Sequence, residues 1–117
     1  MAIPVPCAPD AERTDALLAE PSGSLDVAGA ARLWEVVSER LDAETPSLLV
    51  DLSAVPLVTS AGVGTLVRLL HRVRNLGGSM AVFAASTRIR EVLDAVMLTE
   101  ILRLSQDLEE ARARLGG

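Results

Sequence analysis

Apolar residues recur at helical spacing in four stretches, and short unbroken apolar runs lie between them. The first run, Ala16 to Glu20, ends at Pro21-Ser22-Gly23-Ser24, which is turn chemistry, and reads as a strand. Asp26 then suits a helix N-cap, because Ala30, Leu33, Trp34, Val37 and Leu41 share a face while Glu35, Glu39 and Arg40 point away. Ser47 to Leu52, bounded by Pro46 and Pro56, is nearly all apolar, the pattern of a central strand covered on both faces. A second helix follows over 60–76 with Val63, Leu66, Val67, Leu70 and Val73 inward and Arg68, Arg72 and Asn75 opposite, stopped by Gly77-Gly78. Ser79 to Ala84 is the next buried strand, so this strand-helix-strand unit predicts a right-handed parallel crossover.

Ser86 caps a third predicted helix over 86–97, in which Ile89, Val92, Leu93, Val96 and Met97 repeat at helical spacing. Ile101 to Leu104 reads as a short strand. A last helix opens at Ser105 and Asp107, with Leu108, Ala111 and Leu115 inward and a Glu110–Arg114 pair outside. Residues 1–15, which include Pro4, Pro6 and Pro9, form a proline-rich arm or an edge strand and are expected to be mostly irregular. Residues 16–117 form the domain. Strands alternating with helices make this an α/β sheet sandwich.

Composition narrows what such a domain does. Half of the 117 residues are apolar and the mean hydropathy is +0.35, so a packed core is expected rather than disorder. The net charge of -5 and a pI near 4.8 disfavour nucleic acid as a partner. With Trp34 and Phe83 as the only aromatic residues, base-stacking platforms are also missing. One cysteine, Cys7, and one histidine, His71, leave no basis for a disulfide, a metal cluster or a Ser-His-Asp triad. No apolar run reaches the length of a membrane span, and no basic residue precedes Arg13, so a cytoplasmic protein without direct membrane insertion is expected.

Several short motifs stand in a telling order. Gly23-Ser24-Leu25-Asp26 precedes the first helix, Val50-Asp51-Leu52-Ser53 ends the central strand, and Thr59-Ser60-Ala61-Gly62-Val63-Gly64 opens the second helix. With Gly77-Gly78, the Thr87 to Leu93 helix and Asp107 to Leu115, this set resembles a STAS domain of the anti-sigma-factor antagonist type over about residues 16–115. The resemblance implies the STAS-like fold, a mixed sheet of four to five strands with about four helices. It also implies a non-enzymatic, cofactor-free regulator of transcription. Such a protein binds an anti-sigma factor with ATP-dependent serine kinase activity, releases the sigma factor, and is switched off by phosphorylation.

By position in the motif the phosphoacceptor is Ser60, with Thr59 a second candidate. Thr59 stands where the family pattern has Asp, and this departure implies weak, altered or absent kinase control. Read without the family, Ser60 is a helix N-cap. The implied partner surface comprises Ser24, Asp26, Ala61, Gly62, Val63, Gly64 and Arg68, drawn from the turn at Gly23 to Asp26 and the helix over 60–76, with the helix over 86–97 as a further candidate. Gly62 and Gly64 are expected to bare backbone to the partner, so that a bulky residue at Gly62 abolishes binding in an intact fold. Asp26 reads most simply as a cap, Trp34 as core, His71 as a solvated neighbour of arginines and Cys7 as an incidental thiol. The alternative function for the same fold is a STAS regulatory subunit of a membrane transport assembly such as a lipid-transporting ABC system, or another STAS interaction module, in which the serine need not be phosphorylated.

Overall fold

A computed structural model of the chain describes residues 4–116, and residues 1–3 of the expected arm and residue 117 of the expected domain lie outside the described residues. In chain order the elements are β1 (Cys7–Pro9), β2 (Ala16–Ala19), α1 (Val27–Arg40), β3 (Ser47–Asp51), α2 (Ser60–Asn75), β4 (Met80–Phe83), α3 (Thr87–Ala95) and α4 (Leu108–Arg114). They build one mixed sheet in the order β1-β2-β3-β4, with β1 antiparallel to β2 and the other pairs parallel. Cys7 to Pro9 of the arm is therefore an edge strand rather than irregular chain, and proline is tolerated there because an edge leaves amide positions unpaired.

The register explains the two cores. Leu17, Leu48 and Met80 are aligned across the sheet, as are Ala19, Val50 and Val82, and all six face the side covered by α1, α2 and α3. Ala16, Leu49, Ala81 and Phe83 point to the opposite face, where Ala111 and Leu115 cover them from α4 and its end. Leu48, Leu49 and Val50 of β3 are fully buried, as a central strand with both faces covered must be. Trp34, expected in the core, is only half-buried and packs at its edge.

Two expectations fail in the segment after β4. The third helix stops at Ala95, not at 97, because Met97 adopts a left-handed backbone with φ 60°. Its N–H donates to the Asp94 carbonyl at 3.0 Å and the Leu98 N–H donates to Leu93 at 2.8 Å, the two bonds of a Schellman closure. Of the expected apolar stripe, Ile89 and Leu93 are buried and Val92 is half-buried, while Val96 and Met97 are exposed. Ile101 to Leu104 is not a strand. One helical turn follows, in which the Leu102 N–H donates to Leu98, and it is closed by the same pair of bonds, Arg103 to Glu100 and Leu104 to Thr99, with Arg103 at φ 50°. Of this segment Ser105 alone bridges Phe83, so among the described residues the sheet has four strands. Bonds from Val82 to Leu102, Ser105 to Val82 and Ala84 to Ser105 nevertheless cover the outer edge of β4.

Because β2, β3 and β4 are parallel, the turns that open α1, α2 and α3 gather at the carboxyl end of the sheet. The helix C-termini and the start of β2 lie at the amino end. There Asp10 clasps α4: Arg112 donates from Nε at 2.9 Å and from Nη2 at 2.8 Å, and the N–H groups of Arg13 and Glu12 donate at 2.8 and 3.2 Å. Burial alone would raise the Asp10 carboxyl, but these donors hold it below the usual carboxylate range.

Candidate functional site

The site lies at the carboxyl end, where the turn before α1 is stitched to the start of α2. The Leu25 N–H donates to Leu57 at 2.9 Å, the Gly23 N–H donates to Ala54 at 3.0 Å, and Leu25 bridges Val58. Asp26 is the N-cap of α1, accepting from the Gly29 N–H at 2.9 Å, as its plain sequence reading has it. Ser24 is half-buried in the turn.

Thr59, not Ser60, occupies the N-cap of α2. Its side chain does not cap the helix. Instead its N–H and Oγ1 both donate to the Leu25 carbonyl, at 3.1 and 3.2 Å, so the hydroxyl is spent on holding the turn. Ser60 is the first residue of α2 and is exposed, and among the described residues its hydroxyl has no hydrogen-bond partner. The N-cap reading of Ser60 is thereby corrected by one position. A hydroxyl free of structural duty points to solvent beside backbone N–H groups that no side chain satisfies.

Gly62 also departs from expectation. It is buried, and a Cβ there would overlap the Leu25 carbonyl oxygen and stand 2.8 Å from Leu25 Cβ and 2.9 Å from Val58 Cγ1. Its lack of a side chain lets α2 pack on the turn rather than baring backbone to a partner, so the expectation that a bulky residue leaves the fold intact is overturned. Gly64 is the open position: it is exposed, and a Cβ there meets nothing within 4 Å. Ala61 and Val63 are half-buried beside it. Arg68 lies two turns further along α2, about 12 Å from Ser60 at the helical rise. Its guanidinium stacks 4.0 Å over the Trp34 ring centroid.

The sequence missed Val27, which is 77% exposed in the first turn of α1, two residues beyond the carbonyl that Thr59 holds. The available signal was an apolar residue directly after the cap, ahead of the first buried position, Gly29. A cleft of about 540 Å³ between the β3–α2 loop and the start of α3 extends this end; Ser53, Pro56, Ser86 and Arg88 line it. Ser86 caps α3, accepting from the Ile89 N–H at 3.2 Å. Among the described residues no three His, Cys, Asp or Glu side chains stand together as a metal site, and no helix is long and apolar enough to cross a membrane.

The STAS domain family model matches residues 8–111. Solved structures share the fold at low identity. An anti-sigma factor antagonist from Mycobacterium paratuberculosis superposes with a TM-score of 0.80 at 21% identity, covering 97% of this chain and 94% of that one. The anti-sigma factor antagonist SpoIIAA, a Bacillus cell fate determinant known in unphosphorylated and phosphorylated forms, gives 0.74 at 15% identity in the unphosphorylated form, over 97% and 95% of the two chains. A sulfate transporter family protein from Wolinella succinogenes gives 0.74 at 19% identity, over 92% and 94%.

Proposed function

The chain belongs to the STAS domain family, and we propose that it is a cytoplasmic anti-sigma factor antagonist whose binding surface is the carboxyl end of the sheet and whose switch is Ser60. Its partner is an anti-sigma factor with ATP-dependent serine kinase activity, and binding that partner frees a sigma factor for transcription. The observation that carries this reading is the contrast between two adjacent hydroxyls. Thr59 Oγ1 is tied to the Leu25 carbonyl, while Ser60 Oγ is exposed at the helix start and free to attack. In the proposed transfer Ser60 Oγ takes the γ-phosphoryl group of ATP held by the partner, ADP leaves, and the hydroxyl proton passes to a base of the kinase.

The consequence of transfer follows from charge. Phosphate adds between about one and a half and two negative charges beside Ala61, Val63 and Gly64 of the same helix, none of which carries a charge. A partner packed there would have to desolvate that group. The free N–H groups of the first turn of α2 stabilise the phosphate in the unbound protein, so modification favours the separated state without unfolding the domain.

Incubating the protein with the anti-sigma factor kinases of its host, ATP and magnesium, and mapping phosphate by mass spectrometry, tests the assignment. Phosphate on Ser60 and none on Thr59 is expected; phosphate on Thr59 alone, or none with any of these kinases, contradicts it. A second reading has the Wolinella structure in its favour: a regulatory STAS subunit of a membrane transport assembly, whose serine stays unmodified. Copurification with an ATPase and a membrane permease, rather than with a kinase and a sigma factor, would select it.

A further inference from the structure

At the amino end of the sheet, away from Ser60, Met97 breaks two local rules at once. It holds a left-handed backbone, which is costly for a residue with a Cβ, and its side chain is 83% exposed. Neither feature serves the packing, since the Schellman bonds are made by backbone atoms and the Leu93 and Leu98 side chains turn inward. Beside it Val96 and Ile101 are also exposed, and these three are, with Val27, the large apolar side chains most open to solvent among the described residues. Two adjoining grooves of about 550 and 440 Å³ run along this ridge, sharing Asp94 and Thr99. Their charged lining is Glu91, Asp94 and Glu100 against the single cation Arg90.

We propose that this ridge and its acidic grooves are a second docking surface, taking a cationic, amphipathic protein segment that seats apolar side chains on Met97 and Ile101 and sets Lys or Arg opposite Glu91, Asp94 and Glu100. The charge of the lining selects this occupant. A second copy of the chain, itself at a net charge of -5, approaches against long-range repulsion, whereas a basic segment is attracted. An apolar centre flanked by charge is how amphipathic segments are held in grooves. The surface runs along α3 from Thr87 to the ridge at Met97, on a different helix from Ser60, and stands whether or not Ser60 is a switch.

The test uses the full chain, isotope-labelled for NMR, and a synthetic peptide of about 14 residues with leucine and lysine at helical spacing. Its counterparts carry glutamate for lysine, or serine for leucine. The lysine peptide is expected to shift resonances within 90–104, and both counterparts to bind at least about tenfold more weakly. Met97→Gly should keep or raise the melting temperature and still lose at least about tenfold in affinity, as should Ile101→Ser and Glu100→Lys. Equal binding of the glutamate peptide, shifts centred on 24–27 and 60–64, or undiminished binding by folded Met97→Gly and Ile101→Ser would overturn the proposal. So would sedimentation showing that the chain self-associates through these residues.

Discussion

The two ends of the sheet are closed by contrasting chemistry. At the carboxyl end Asp26 and Ser86 cap their helices with their own side chains, and Gly62 supplies the close approach of α2 to the turn before α1. At the amino end α2 and α3 stop by the same pair of backbone bonds, Gly77 to Arg74 with Gly78 to Val73 in one and Met97 to Asp94 with Leu98 to Leu93 in the other. Gly77 takes φ 83° at no steric cost, whereas Met97 takes 60° against its own Cβ. The carboxyl end also holds a left-handed residue with a Cβ, Ala84 at φ 60°, but its small side chain is half-buried against the second core, and what stands out there is the spare hydroxyl of Ser60. At Met97 the left-handed backbone is instead joined to a large apolar side chain that is left exposed.

The contrast can be broken most severely at Gly62. Gly62→Val forces a side chain into the Leu25 carbonyl and should cost about 2 kcal/mol or more, lowering the melting temperature by roughly 10 °C in calorimetry. A variant as stable as the parent would mean that α2 does not lean on the turn as described.

Next in size is the Asp10 clasp. Its carboxyl lies below the ordinary range in the folded protein, so its contribution is present above the unfolded value of about 3.9 and is lost as pH falls through the lower folded value. Asp10→Asn should lower the melting temperature by several degrees at neutral pH and flatten its fall in acid. Identical acid limbs in parent and variant would show that Arg112 gains nothing from Asp10.

The smallest change sharpens the comparison between the two helix ends. Met97→Gly gives α3 the closure that α2 already has and should stabilise the fold by about 1 kcal/mol, raising the melting temperature by roughly 5 °C. A fall would mean that the methionine is held by packing.

The same difference decided what the sequence could disclose. The end of α2 was legible because Gly77-Gly78 is a recognised stop signal. The end of α3 was not, since Val96 and Met97 continue the apolar period and only the backbone bonds reveal that the helix has closed. The strand expected over 101–104 failed for the same reason, with Arg103 in the left-handed position that glycine usually marks. The buried strands β3 and β4 and the caps Asp26, Ser86 and Asp107 were legible because burial and capping are local in sequence. Within the site, the motif pointed to Ser60, but its separation from Thr59 rests on a bond to Leu25, 34 positions away, that no local pattern carries. The burial of Gly62 beneath Leu25 is equally long-range.

The central claim is that Ser60 is a free hydroxyl whose charge state governs a binding surface at the carboxyl end. Calorimetric titration of the anti-sigma factor kinase with the unmodified chain, with the chain phosphorylated on Ser60, and with Ser60→Ala tests it directly. The account predicts that Ser60→Ala binds as tightly as the parent and that the phosphorylated chain binds at least about tenfold more weakly, with its circular dichroism unchanged. Equal affinity of the phosphorylated and unmodified chains would contradict it.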